Sequence, residues 1–208
     1  MQVSCIQQTV NPIETIAKIA SICYDSDPKN PLKLVERLYK NGHHSVFEHI
    51  YFTFKIEGIS RACSHQLVRH RMCSFTQRSQ RYCSENGFEY VTPPTVSQAM
   101  FDHDVESIRA LYWTYTDVLE IPNEDARYIL PNACATELYL SCNLRELIHI
   151  ANERLCLKAQ WEIRELAKRM VDLVDPSLKF MLVPKCKSGR IICNTPCGKV
   201  TTDESTKI

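Results

Sequence analysis

The sequence predicts a single α/β domain of the α+β kind, on three observations. The chain has 208 residues, 44% of them apolar and 24% charged, which suits one well-buried core and neither disorder nor a coiled coil. Short stretches at residues 2–9, 50–57 and 135–142 have the alternation or the compact apolar character of strands, and the last reads ATELYLSC. Longer segments between them carry apolar residues three and four apart, as amphipathic helices do. The predicted domain covers residues 1–198, and the polar residues 199–208 are expected to form a flexible tail because they offer too little apolar surface to fold alone.

Taken in order, the strand at 2–9 is followed by Asn11-Pro12-Ile13-Glu14, which reads as a helix start with an Asn cap and Pro in the first turn. A second helix starts at Asn30-Pro31 and ends at Gly42, burying Leu34, Val35, Leu38 and Tyr39. After the strand YFTFKIEG, a helix from Ser60 to about Arg71 is predicted with Ile59, Ala62, Cys63 and Leu67 inward and Gln66, Arg69 and His70 on another face. Residues 72–82 have no clear period and are read as an ordered loop. A core helix is predicted from Ser97 to Leu119 on Phe101, Val105, Ile108, Leu111, Tyr112, Tyr115 and Leu119. A short helix over 122–130 precedes the third strand, and two helices follow near 144–155 and 159–174. In the first of these, Arg145, His149 and Asn152 form the polar stripe.

Charge and cysteine usage narrow the function classes. With 25 basic and 24 acidic residues the net charge is +1, so no global field draws nucleic acid or membrane, and an anion site must be local. No apolar run approaches the roughly 18 residues of a membrane span, and the N-terminus lacks the regions of a signal peptide, which predicts a soluble, cytoplasmic protein. The 11 cysteines are scattered among apolar neighbours and read as free thiols.

The most informative segment is RHRMCSFTQRSQRY. From Gly58 to Ser84 there are five Arg and no Asp or Glu. Guanidinium groups are permanently charged planar forks suited to phosphate or carboxylate, so the cluster is read as an anion site. There is no glycine-rich phosphate loop, and with only 5 Gly a bound nucleotide must be held by side chains. Other constellations are weaker. His43, His44, Glu48 and His49 in GHHSVFEH do not have zinc-peptidase spacing and suggest a polar binding loop. Cys73 and Cys83 flank the cluster without a base at a telling spacing, and Ser79 is better read as a hydrogen-bond donor than as a nucleophile. Cys186, Cys193 and Cys197 lack CxxC pairing. A nucleic-acid module using the arginines as a phosphate stripe is the rival reading, opposed by the near-zero net charge.

Arg69-His70-Arg71, seven intervening residues, then Ser79 resembles the signature of the flavin-dependent thymidylate synthases. The similarity extends through GHHSVFEH, ARYILP, SCNLREL and NERLCLKAQWEI, from about residue 14 to 184. The resemblance implies a small central, mainly antiparallel sheet surrounded by helices, in a homotetramer with shared active sites. It implies FAD as cofactor, NADPH as reductant, 5,10-methylenetetrahydrofolate as carbon donor and dUMP as acceptor. By the same resemblance Ser45, Arg69, His70, Arg71, Gln77, Asn143, Arg145 and His149 contact the flavin, and His43 lies on the folate and flavin side. Gln66, Leu67, Val68, Arg69, Gln77, Arg78, Ser79, Gln80, Arg81, Arg127 and Arg154 contact dUMP. Arg154 is the implied catalytic residue, stabilising negative charge on the uracil ring with no covalent adduct, and no metal is implied. Gln77 stands where some members have Glu, Arg78 adds a cation, and Lys158 is a further departure near the flavin.

Overall fold

The structure is a computed structural model that describes residues 1–23, 25, 28–189 and 192–197, so the tail predicted at 199–208 lies outside the described residues. Four strands, β1 (Gln2–Gln8), β2 (Tyr51–Ser60), β3 (Ser74–Gln77) and β4 (Ala135–Asn143), form one sheet in the order β1-β2-β4-β3. Among the described residues seven α-helices accompany it: α1 (Pro12–Ser21), α2 (Pro31–Lys40), α3 (Arg61–Leu67), α4 (Gln98–Trp113), α5 (Asn123–Ala126), α6 (Leu144–Arg154) and α7 (Trp161–Asp172). The sheet is antiparallel, as the backbone bonds between β2 and β4 illustrate: Arg61 donates to Cys134 at one end and Leu144 to Ile50 at the other, so partner numbers fall as strand numbers rise. Among the described residues no helix is long and apolar enough to cross a membrane.

The chain divides into two compact units, and both β2 and β4 contribute residues to each. The first comprises Met1–Gln2, Ile56–Arg69 and Phe75–Tyr139. Its core includes Phe88, Val105 and Cys134, with Tyr90, Phe101, Ile108 and Leu130 packed against them. Ser60 caps α3 by accepting the Cys63 amide hydrogen at 3.0 Å. α3 is shorter than the sequence predicts: its last bond, from Val68 to Ser64, is followed by a turn at Arg69. Ala62, expected inward, is exposed, while Ser64 is buried.

The predicted core helix also differs. Val105 and Tyr112 are buried, but Leu111 and Leu119 are exposed. The α-helix ends at Trp113 and continues as a π turn over Thr114–Val118. A π turn adds a residue to each loop of backbone, so it rotates the apolar stripe off the face that Val105 and Tyr112 bury. Residues 74–77, read from the sequence as loop, form β3 instead. Of its two half-buried positions, Phe75 and Gln77, the second is polar, and this shortens the apolar alternation that would announce a strand.

The second unit comprises Val3–Lys55, His70–Ser74 and the described part of Leu140–Ile208. Phe52 and Phe54 on β2 and Leu140 and Cys142 on β4 alternate inward, and Ile16, Val35, Phe47, Leu147, Ile163, Leu166 and Met170 supply the helical side of its core. Asn30 caps α2 by accepting the Lys33 amide hydrogen at 3.0 Å. Asn11, expected to cap α1 in the same way, is left-handed with φ 48° and its side chain makes no cap bond. Asn tolerates this conformation better than other non-glycine residues, and Pro12 then presets the helical φ.

Gly58 also has a positive φ, 67°, and a Cβ there would stand 3.2 Å from the Met1 backbone nitrogen. The Gly58→Ala variant should therefore lose about 1–2 kcal/mol of stability from backbone conformation alone. Urea denaturation beside the parent protein measures it.

Candidate active site

The signature segment contributes to both units, and each part is described by itself. In the first unit, α3 presents Gln66 half-buried, Val68 and Arg69 exposed, and Leu67 buried. Leu67 is therefore a core side chain, and only its backbone is left to meet a ligand. Gln77, at the end of β3, donates through Nε2 to Ser64 Oγ at 3.0 Å and Thr136 Oγ1 at 3.1 Å. These bonds hold the amide between α3 and β4.

The three residues that follow Arg78 fold as a turn. Ser79 Oγ accepts the Arg81 amide hydrogen at 3.2 Å, and Gln80 Nε2 donates to Cys134 Sγ at 3.5 Å. Arg81 Nε donates to Glu124 Oε2 at 2.5 Å while its guanidinium lies 5.2 Å from the Tyr82 ring centre. Arg127 Nε donates to the Glu124 carbonyl oxygen at 3.0 Å. Two arginines 46 positions apart are thus gathered at α5 through one residue, Glu124. Arg78 is drawn elsewhere: its Nε reaches Glu85 Oε1 at 3.2 Å and its Nη2 donates to the Ser84 carbonyl oxygen at 3.4 Å. The hydrogen bond and charge of Glu85 hold the Arg78 guanidinium above its ordinary pKa.

These contacts change the sequence argument. The segment Gly58–Ser84 contains no acid, yet Arg78 and Arg81 have carboxylate partners supplied from outside it, so a ligand is not required to neutralise them. In this unit, Glu85 and Glu124 are partners that the motif does not announce. Glu85 is the first residue beyond the acid-free window, and Glu124 stands three before Arg127, a helical neighbour spacing that marks it.

In the second unit, Ser45 opens a 3-10 turn over Ser45–His49, with Ser45 and His43 exposed. His44 stacks on Tyr39 with ring centres 5.7 Å apart. From the same turn Glu48 accepts a hydrogen bond from Arg145 Nη1. Asn143 caps α6, its Oδ1 accepting the Glu146 amide hydrogen at 2.9 Å. Asn152, expected on the polar stripe, is buried: its Nδ2 donates to the Ile148 carbonyl oxygen at 2.6 Å, and its Oδ1 has no partner among the described residues.

α6 also assembles the most constrained group of the site. His70 is 5% exposed and Glu146 is 8% exposed. Arg154 Nε donates to His70 Nε2 at 2.9 Å, and His70 Nδ1 lies 3.4 Å from Glu146 Oε1. The His149 ring meets His70 edge-on, with centres 5.4 Å apart. His149, Arg145 and Arg71 are exposed. Ligand atoms of His70, Glu146 and His149 lie within 4.8 Å of one another, close enough to surround an ion. The Arg154 guanidinium already directs a hydrogen at the His70 Nε2 lone pair, which opposes using that nitrogen for a metal.

Neither Cys134 nor Cys142 is poised as a nucleophile. Burial pushes Cys134 up to about 11, with the Glu85 charge adding to it. The hydrogen bond with Cys73 and then burial push Cys142 far above the ordinary thiol range. Within each unit the arrangement offers oriented guanidinium groups beside polar side chains, the chemistry that suits an anion.

Comparison with known proteins agrees. The family model described as thymidylate synthase complementing protein matches residues 4–178. The flavin-dependent thymidylate synthase of Geobacter sulfurreducens is 39% identical over 209 residues, covering 91% of this chain and 90% of the relative. That of Clostridium tetani is 34% identical, covering 96% and 94%. The crystal structure of thymidylate synthase X from Helicobacter pylori with FAD and dUMP shares the fold, with a TM-score of 0.71 at 24% identity, over 88% of this chain and 97% of that one. The chain belongs to the flavin-dependent thymidylate synthase family, and is an enzyme of that class.

At pH 8 a thiol with a pKa of about 11 holds roughly a hundredfold less thiolate than an ordinary cysteine. Cys134 in the folded protein should therefore resist iodoacetamide over times that label exposed cysteines, and unfolding in urea should restore its labelling. Peptide mass spectrometry after timed alkylation measures both.

Proposed function

We propose that this protein makes dTMP by reductive methylation of dUMP, with FAD as its cofactor, NADPH as reductant and 5,10-methylenetetrahydrofolate as one-carbon donor, releasing tetrahydrofolate. The observation that carries the proposal is the family match over residues 4–178, which includes the whole signature and Arg154. FAD and dUMP are the ligands of the Helicobacter pylori structure with the same fold. When bound, the flavin supplies the redox chemistry that no side chain here provides.

The residues suit these ligands. Exposed Ser45, Arg71, Arg145 and His149 offer hydroxyl, guanidinium and imidazole donors, as a flavin dinucleotide with its pyrophosphate requires. In this reading Arg69, His70, Gln77 and Asn143 complete the flavin side. Gln66, Ser79, Gln80, Arg81 and Arg127, with the backbone at Leu67 and Val68, receive the nucleotide, and Arg78 adds a cation already balanced by Glu85.

Arg154 does the activating work. A guanidinium at the N3 and O2 edge of uracil stabilises negative charge on the ring and makes C5 nucleophilic without a covalent adduct. Ser79 positions: its hydroxyl accepts the Arg81 amide hydrogen and so shapes the turn that presents Arg81. The assembly is a homotetramer with shared active sites, a reading supported by exposed Met100, Leu111, Trp113, Val118 and Leu119, more apolar surface than a lone helix normally shows to water.

The purified protein should be yellow and should oxidise NADPH in a dUMP-dependent manner; colourless protein unable to take up FAD would overturn the proposal. Arg154→Ala should keep flavin and lose dTMP formation by about 100-fold or more, the size expected for one electrostatic donor. Flavin absorbance and a dTMP assay read the two effects separately. Ser79→Ala should weaken dUMP binding or turnover without abolishing it, measured as KM and kcat, and a uracil adduct trapped on Ser79 would contradict the positioning role.

A further inference from the structure

We propose that Glu146 is a positioning residue that acts on Arg154 through His70. The inference rests on the reading of Arg154 as the group that activates the pyrimidine.

The geometry allows one arrangement of protons. Arg154 Nε always carries hydrogen, so at 2.9 Å its partner His70 Nε2 must be the acceptor. An imidazole with a bare Nε2 is neutral and carries its hydrogen on Nδ1. The nearest carboxylate oxygen to that nitrogen is Glu146 Oε1, 3.4 Å away. The carboxylate therefore favours the tautomer that the guanidinium requires, and that tautomer presents a lone pair to the guanidinium. Without Glu146 the ring is free to carry hydrogen on Nε2, which would place two N–H groups against each other.

Glu146 is well placed for this task. It lies in the first turn of α6, where the helix dipole favours a negative charge, and Asn143 fixes its backbone through the cap. Its side chain is 10% exposed and that of His70 is 4% exposed, so water competes little for either. A Glu at this position after an Asn cap ordinarily reaches back to the cap amide; here it faces His70. At the other end of the same helix, Arg154 is gripped by Nε alone among the described residues. Its two terminal amino groups remain for a ligand, with their plane set by the grip on Nε.

The test uses the full-length flavoprotein. ¹⁵N-histidine NMR of the parent protein should show His70 hydrogenated on Nδ1, and an Nε2–H tautomer there would overturn the proposal without any substitution. Glu146→Leu should retain flavin, shift His70 towards the Nε2–H form and lower kcat by about 10- to 100-fold, the usual size for an orienting partner. The KM for dUMP should change by less than about threefold, since the ground-state contacts remain. Glu146→Gln keeps a carbonyl oxygen for Nδ1–H and should restore kcat to within about threefold of the parent. Parent turnover in Glu146→Leu, or a Gln variant no better than Leu, would overturn the role. Arg154→Ala assayed in parallel separates the two ideas: retained turnover there removes the catalytic reading of Arg154, whereas the His70 tautomer is read independently of turnover.

Discussion

A guanidinium cannot shed its charge, and that constraint organises the site. Three of its arginines meet acceptors that the fold delivers from elsewhere in the sequence. Arg78 has Glu85 from the turn after β3, Arg81 has Glu124 from α5, and Arg154 has His70. Only the last acceptor is neutral. Under the proposed function, a carboxylate opposite Arg154 would offset the positive charge offered to the pyrimidine, whereas an imidazole orients the guanidinium and leaves its charge unspent.

Helix α6 shows how one short element can serve several ends. Its buried face, with Leu144, Leu147, Ile148 and Ala151, anchors it in the second unit. Its cap, Asn143, is a residue that the family resemblance places at the flavin, and in this structure its side chain secures the helix start. Arg145 reaches Glu48, Glu146 turns to His70, and His149 lies edge-on to the same ring. These polar residues recur at helical spacing, and the helix that carries them is held still by the apolar residues between them.

Much of the fold was legible in the sequence. α1, α2, α6 and α7 appear close to their predicted bounds because Pro near the start and a clean apolar stripe mark α1 and α2, and the stripe alone marks the other two. β1, β2 and β4 were visible as short apolar or alternating runs between them. β3 is hidden because it is only four residues long and one of its two half-buried residues is Gln77, whose place is decided by hydrogen bonds to Ser64 and Thr136. α4 was misjudged as core along its whole length because periodicity identifies a stripe without saying how much of it is covered. Asn152 was put on the wrong side for a related reason: a polar residue can be buried when its amide finds a carbonyl one turn back.

The candidate site divides in the same way. The signature RHR to Ser79, the later Arg127 and Arg154, and the lack of a glycine-rich loop were all determined by the sequence, since residue identity at fixed spacing is what a motif is. The partners were not. Glu85, Glu124 and Glu146 gained their meaning only when the chain folded, because ion pairs and tautomers depend on distances between residues 7, 43 and 76 positions apart. Sequence determined which charges the protein carries, and tertiary structure decided which of them are matched by a neighbouring carboxylate and which are not. The physical reason is that charge belongs to a residue, while neutralisation belongs to a geometry.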